Sequence, residues 1–130
     1  MATITLIDEA GFGNKILEKQ LEFQKDTVTL RELIRQRVFQ EVNDYNTRQP
    51  EAFQGLIQPS ETEQMLNGIT IKKIPLLNAE TQFRKATELF SDRGFIVLIN
   101  NKQMDSLDVL LDLSDLNEVT FLKLVPLIGG

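Results

Sequence analysis

The chain contains no cysteine and no histidine. Without cysteine it has no disulfide, no thiolate nucleophile and no thiolate metal site. Without histidine it lacks the commonest general base near neutral pH. Carboxylates, lysines and a single tyrosine remain for acid–base work. Most hydrolase constellations and metal sites are thereby excluded, and the chain is expected to be no enzyme and to need no metal and no cofactor. Long apolar runs are missing too: Phe95-Ile96-Val97-Leu98-Ile99 is far too short to span a bilayer. Met1-Ala2-Thr3-Ile4 carries no basic patch ahead of its apolar residues, so no secretory signal is read there. A cytoplasmic protein without a membrane partner is the expectation. Positive charge is also in deficit, with 14 Lys and Arg against 19 Asp and Glu and a net charge of −5. That balance argues against general nucleic-acid binding, which needs a basic footprint. Arg31, Arg35 and Arg37 offer a local basic patch, but on a helix they are expected to form a solvated face.

A length of 130 residues and an apolar fraction of 42% suit one globular domain with its own core. Thr3 to Ile7 reads as a first strand, because Ile4 and Leu6 alternate with Thr3 and Thr5. Gly11-Phe12-Gly13-Asn14 supplies turn residues. The same glycines loosely suggest a phosphate loop, but Ile16 stands where a third glycine belongs, and a hairpin turn is the reading kept. Leu17, Leu21 and Phe23 alternate with Glu18, Gln20 and Glu22 as in a half-buried strand, and Lys19 breaks the inward set, which points to a bulge or an edge. Thr29 and Glu32 have capping-box spacing, and Val28 and Leu33 are placed as the hydrophobic staple. Leu30, Leu33, Ile34, Val38, Val42 and Tyr45 then form one stripe at helical spacing.

From Asn46 to about Asn78 the pattern is broken by Pro50, Gly55, Pro59 and Gly68. Ser60 and Glu63 suggest a brief helix there, and Ile69, Ile71 and Ile74 a short strand. Phe53, Leu56, Ile57, Met65 and Leu66 serve either as a satellite core or as a self-association surface. Asn78 is an N-cap for a second helix, with Glu80 in its first turn and Phe83, Ala86 and Phe90 on one face. Gly94 can terminate it. Phe95 to Ile99 reads as a central strand covered on both faces, Asn100-Asn101 as a tight turn, and 107–113 as holding a short strand. Asp105, Asp108, Asp112 and Asp115 fail the spacing of a calcium loop and read as solvated carboxylates. Val119 to Val125 is a last strand, which Pro126 stops for want of an N–H. Leu122 and Leu124 share one of its faces, Phe121 and Val125 the other, and one pair is expected to be partly exposed. Lys123 is either an enzyme contact or a solubilising residue on the strand.

Hairpin, helix, inserted segment and further strands, ending in Val119-Thr120-Phe121-Leu122-Lys123-Leu124-Val125-Pro126-Leu127-Ile128-Gly129-Gly130, resemble the ubiquitin-like β-grasp superfamily. The resemblance covers roughly residues 1–45 and 94–130 and is most similar to bacterial ubiquitin-like modifiers and to sulfur carriers. It implies an α+β fold, with a sheet packed on one main helix, a partly helical insertion at 46–93 before the third strand, and a tail at 126–130. It also implies that Gly129 and Gly130 carry the chemistry, the terminal carboxylate being adenylated with ATP by an activating enzyme. Leu122, Leu124, Leu127 and Ile128 become candidate contacts for that enzyme. The implied outcome is conjugation to a target amine, with conjugating and deconjugating enzymes as further partners. Delivery of sulfide to an acceptor as a thiocarboxylate is the alternative, and an assembly module with an unactivated tail the third reading.

Overall fold

In the computed structural model, which describes residues 1–11, 13–48, 76–116 and 118–123, the first apolar alternation becomes β1, Ala2–Ala10. It pairs antiparallel with β2, Lys15–Phe23, setting Ile4 opposite Leu21 and Leu6 opposite Lys19. The register shifts between Asp8 and Glu9, a bulge that lies beside the connecting turn. Gly11 and Gly13 take φ of 79° and 78° there, which suits residues without a Cβ.

Half of the expected capping box is found: Thr29 Oγ1 caps the helix, while the Glu32 carboxylate accepts from the Thr29 hydroxyl at 3.3 Å. The backbone N–H of Glu32 donates to Thr29 Oγ1 at 3.1 Å, opening α1, Leu30–Arg48. Backbone carbonyls complete the cap, with the Leu30 N–H donating to Val109 at 3.0 Å and the Arg31 N–H to Leu107 at 2.9 Å. Leu30, Leu33, Ile34, Val38, Val42 and Tyr45 are all buried against the sheet. A short antiparallel pair, β3 at Thr27–Thr29 and β6 at Leu110–Asp112, holds the helix entrance. The β3 strand is too short for periodicity to reveal. A 3₁₀ turn at Leu113–Asp115 follows, capped by the Asp112 carboxylate, which accepts from the Ser114 N–H.

The second helix, α2 at Ala79–Ser91, starts where expected: the Thr81 N–H donates to Asn78 Oδ1 at 2.9 Å. It packs on α1 through buried Ala86, and Phe83 and Phe90 lie against the main core. At its end the left-handed residue is Arg93 with φ of 60°, not Gly94. Gly94 serves packing instead, since a Cβ there would meet Leu89 Cδ2 at 2.9 Å. The Gly94 N–H donates to the Leu89 carbonyl at 2.7 Å, closing the helix.

β4, Phe95–Ile99, and β5, Lys102–Gln103, follow, joined by Asn100 and Asn101 at φ of 53° and 63°. β7, Glu118–Lys123, is the last strand. It lies between β1 and β4, parallel to the first and antiparallel to the second, in a sheet of order β2-β1-β7-β4-β5. The architecture is α+β, a mixed five-stranded sheet with two helices among the described residues. No helix among them is long and apolar enough to cross a membrane.

Candidate functional site

Of the residues expected to carry chemistry, Leu124, Leu127, Ile128, Gly129 and Gly130 lie outside the described residues, as do the elements expected within 49–75. What the structure describes is the root of the tail, the end of β7. Leu122, expected as an enzyme contact, is 1% exposed and is not a free surface residue. Its strand is central: Leu122 stands opposite Glu9 of β1 and Ile96 of β4, so neighbours flank it on both sides. Phe121 is also fully buried, on the helix side, where its ring lies 5.9 Å from that of Phe95. The expected exposed pair is therefore not found at 121 or 122.

The helix side of the sheet reads apolar row by row until its end nearest the tail. There Ile4 and Leu6 are followed by Asp8, and Val119 and Phe121 by Lys123. Lys19 interrupts the inward row of β2. From α1, Arg37 and Glu41 project into the same region. Arg37 is fully buried, not part of a solvated face as its sequence neighbours suggested. Its Nη1 and Nη2 donate to the two oxygens of Asp8 at 2.7 and 2.6 Å, and its Nε donates to Glu41 at 3.2 Å. The guanidinium also sits 4.6 Å from the centre of the Phe121 ring. Lys19 donates to Glu41, and Lys123 Nζ lies 3.4 Å from Asp8. One buried arginine thus ties α1 to β1, while two lysines bring in β2 and β7.

Charge balance explains why these groups stay ionised. Burial by itself pushes the Asp8 carboxyl up, but Arg37, and after it Lys123, holds the group below its ordinary value of 3.8. Burial by itself lowers the Arg37 guanidinium, and the attraction of Glu41 and Asp8 more than reverses that. A bidentate arginine whose Nε–H also has an anionic partner is the geometry in which a buried ion pair offsets its desolvation. Arg31 and Arg35 of α1 are paired nearer the surface. Arg31 reaches Asp108 at 3.2 Å, and Arg35 grips Glu80 of α2 between the rings of Phe39 and Phe83.

This arrangement ties α1 to β1, β2 and β7 through ion pairs. Asp8 and Glu41 are engaged by cations, and no described cluster of acidic residues is arranged to hold a metal. A cavity of about 370 Å³ lies on the far side of β4, with Phe90, Arg93, Phe95 and Met104 in its walls. Ser91, Asp105 and Ser106 also line it. The sequence carried one signal for the joint: Asp8, Lys19 and Arg37, one anion and two cations, each occupy the phase of an apolar stripe. Comparison with family models, with curated proteins and with solved structures returns no match.

Proposed function

We propose that this chain is a ubiquitin-like protein modifier of the β-grasp fold, activated at the carboxylate of Gly130 and attached to a target amine. The observation that carries the proposal is the place of β7. The last described strand runs centrally and parallel to the first, and its sequence continues through Leu124-Val125-Pro126-Leu127-Ile128 to Gly129-Gly130. Pro126 has no N–H for a ladder, which favours release of the following residues from the sheet. Glycines suit the end of such a segment. Lacking a Cβ, they thread a narrow channel and leave the acyl carbon open to nucleophiles.

The chemistry needs nothing from the chain except that carboxylate. A carboxylate oxygen attacks the α-phosphorus of ATP, pyrophosphate departs, and the acyl-adenylate forms. A thiol of the activating enzyme then displaces AMP, and a target amine displaces the thiol, with conjugating and deconjugating enzymes as further partners. The absence of cysteine and histidine fits a substrate of this kind, because the reactive groups belong to its enzymes. The apolar residues and proline before the glycines favour a second reading, a sulfur carrier whose adenylate takes up sulfide to become a thiocarboxylate.

ATP–pyrophosphate exchange with the cognate activating enzyme tests both. The full chain is expected to support exchange and the chain lacking Gly130 to give none, with stability changed by no more than about 0.5 kcal/mol. Gly129→Val should react poorly, because a β-branched side chain stiffens and widens the segment. Mass spectrometry then separates the readings: a Gly-Gly remnant on target lysines marks the modifier, and sulfur replacing oxygen at the C-terminus marks the carrier. Undiminished exchange without Gly130 removes both.

A further inference from the structure

The cavity beside β4 brings together side chains that the proposed activation does not use. Its walls come from Arg31 in the first turn of α1, the end of α2 and the turn after it, the start of β4, and residues 103–107. Phe95, which is buried, and half-buried Phe90, Ile96, Met104 and Leu107 make up the apolar part. The rings of Phe90 and Phe95 stand 5.9 Å apart and are inclined by 59°, so they do not stack flat on each other. The Met104 N–H donates to the Val97 carbonyl at 2.9 Å, which holds that wall against β4. A volume of about 370 Å³ is that of a small-molecule site, for which roughly 300–1,000 Å³ is usual.

The polar part of the lining is unequal in charge. Two guanidiniums, Arg31 and Arg93, stand there against one carboxylate, Asp105. Arg31 pairs with Asp108 through one contact of 3.2 Å, at an aspartate that is 81% exposed. An exposed pair of that kind contributes little and gives way to a better-placed anion. Arg93 enters no ion pair with another described residue, although its left-handed backbone, φ of 60°, costs stability. Ser106 Oγ accepts from the Asp108 N–H at 3.1 Å, which leaves its hydroxyl hydrogen for another acceptor. A neutral guest would leave both guanidiniums unused, and a cation would meet two like charges. Asp105 in the wall favours a singly charged carboxylate over a phosphate. Walls drawn from both helices, β4 and the 103–107 segment suit a small molecule better than the face of a partner protein.

We propose that this cavity binds a small carboxylate with an aromatic or branched apolar body. Arg93 and Arg31 take its charge, and Phe90, Phe95, Met104 and Leu107 meet its body. The site does not depend on the modifier reading, because it uses neither the last strand nor the terminal glycines.

The test follows the backbone amides of the full chain by NMR during titration with 3-phenylpropionate. Saturable shifts are expected at residues 90–96 and 103–107. Two controls divide the ligand: 3-phenylpropanol keeps the ring without the charge, and propionate keeps the charge without the ring. Each should bind at least about tenfold more weakly than the acid. Arg31→Gln and Arg93→Gly should each weaken binding of the acid by about tenfold. Arg93→Gly also relieves the left-handed backbone, so stability should rise while affinity falls, a divergence that a merely structural role does not produce. Shifts that fail to saturate, or that fall elsewhere in the chain, overturn the proposal. Equal affinity for the acid and the alcohol, or unchanged affinity in both variants, does the same. An acetylated Phe-Asp peptide amide is titrated alongside. If it shifts these amides and 3-phenylpropionate does not, the small-molecule site is overturned and the cavity belongs to an acidic segment of a partner protein.

Discussion

Arg93 holds a left-handed backbone, φ of 60°, at the turn between α2 and β4, where most helices place glycine. An L-residue pays for that conformation through its Cβ, and the glycine that could have relieved it stands one position later, beside Leu89. Arg93→Gly should therefore raise stability by about 0.5–1 kcal/mol in urea unfolding, the steric relief being partly offset by the entropy of a new glycine. Arg37 represents the opposite case, a residue whose removal leaves charges stranded. Arg37→Met should cost about 3–5 kcal/mol in the same experiment, because Asp8 and Glu41 lose a buried partner. The pair also sets an acid limit. Asp8 titrates below its ordinary value of 3.8 when folded, so its stabilisation is complete above that value and fades as pH falls below it. Acid unfolding followed by circular dichroism should accordingly show a destabilisation in this range that the Arg37→Met variant lacks. Arg93 was not legible from periodicity, and for Arg37 the phase of the stripe was outweighed by its charge. Arg37 looked like one more exposed arginine of α1, and only the facing strand made its position interior.

At the scale of elements, α1 and α2 were legible because capping chemistry is local. The side chains of Thr29 and Asn78 accept from backbone N–H groups three residues on, and a sequence displays such spacing directly. The extent of the insertion was not. The resemblance placed 46–93 outside the core, yet α2 buries Ala86 and sets Phe83 and Phe90 against the main cluster. Within 46–93, the described residues from Leu77 onward are joined to the core. Asn46 donates through Nδ2 to the Leu77 carbonyl at 3.0 Å and accepts from the Leu77 N–H at 2.8 Å. This side chain joins the two ends of the segment like a rung of a sheet. Replacing residues 49–75 by a short flexible linker should leave cooperative thermal unfolding in place, whereas removing 46–93 should give a molten or insoluble chain. Asn46→Ala should cost about 1–3 kcal/mol, because Leu77 is left with unsatisfied backbone groups. Cooperative unfolding of the chain without 46–93 would show that α2 is dispensable to the core.

For the molecule as a whole, the position of β7 decides how its residues behave. Leu122→Asp should destabilise by several kcal/mol, since the carboxylate is placed in the middle of a five-stranded sheet at a fully buried site. A stable, folded variant with weakened enzyme binding would instead restore Leu122 to the surface role first expected of it. Local spacing by itself determined the first hairpin, both helices with their caps, the Asn100-Asn101 turn and the apolar character of the last strand. These depend on contacts a few residues apart, or on the alternation of one strand, and need no knowledge of what lies opposite. Only the tertiary structure decided which faces are closed. Leu122 is buried in a strand flanked by Glu9 and Ile96, and Arg37 of α1 is interior where Asp8, 29 residues earlier, meets it from β1. Lys123 turns inward for the same reason. Burial and ion pairing are set by partners distant in the chain, and no periodicity within one segment reports the charge or the size of the side chain it will meet.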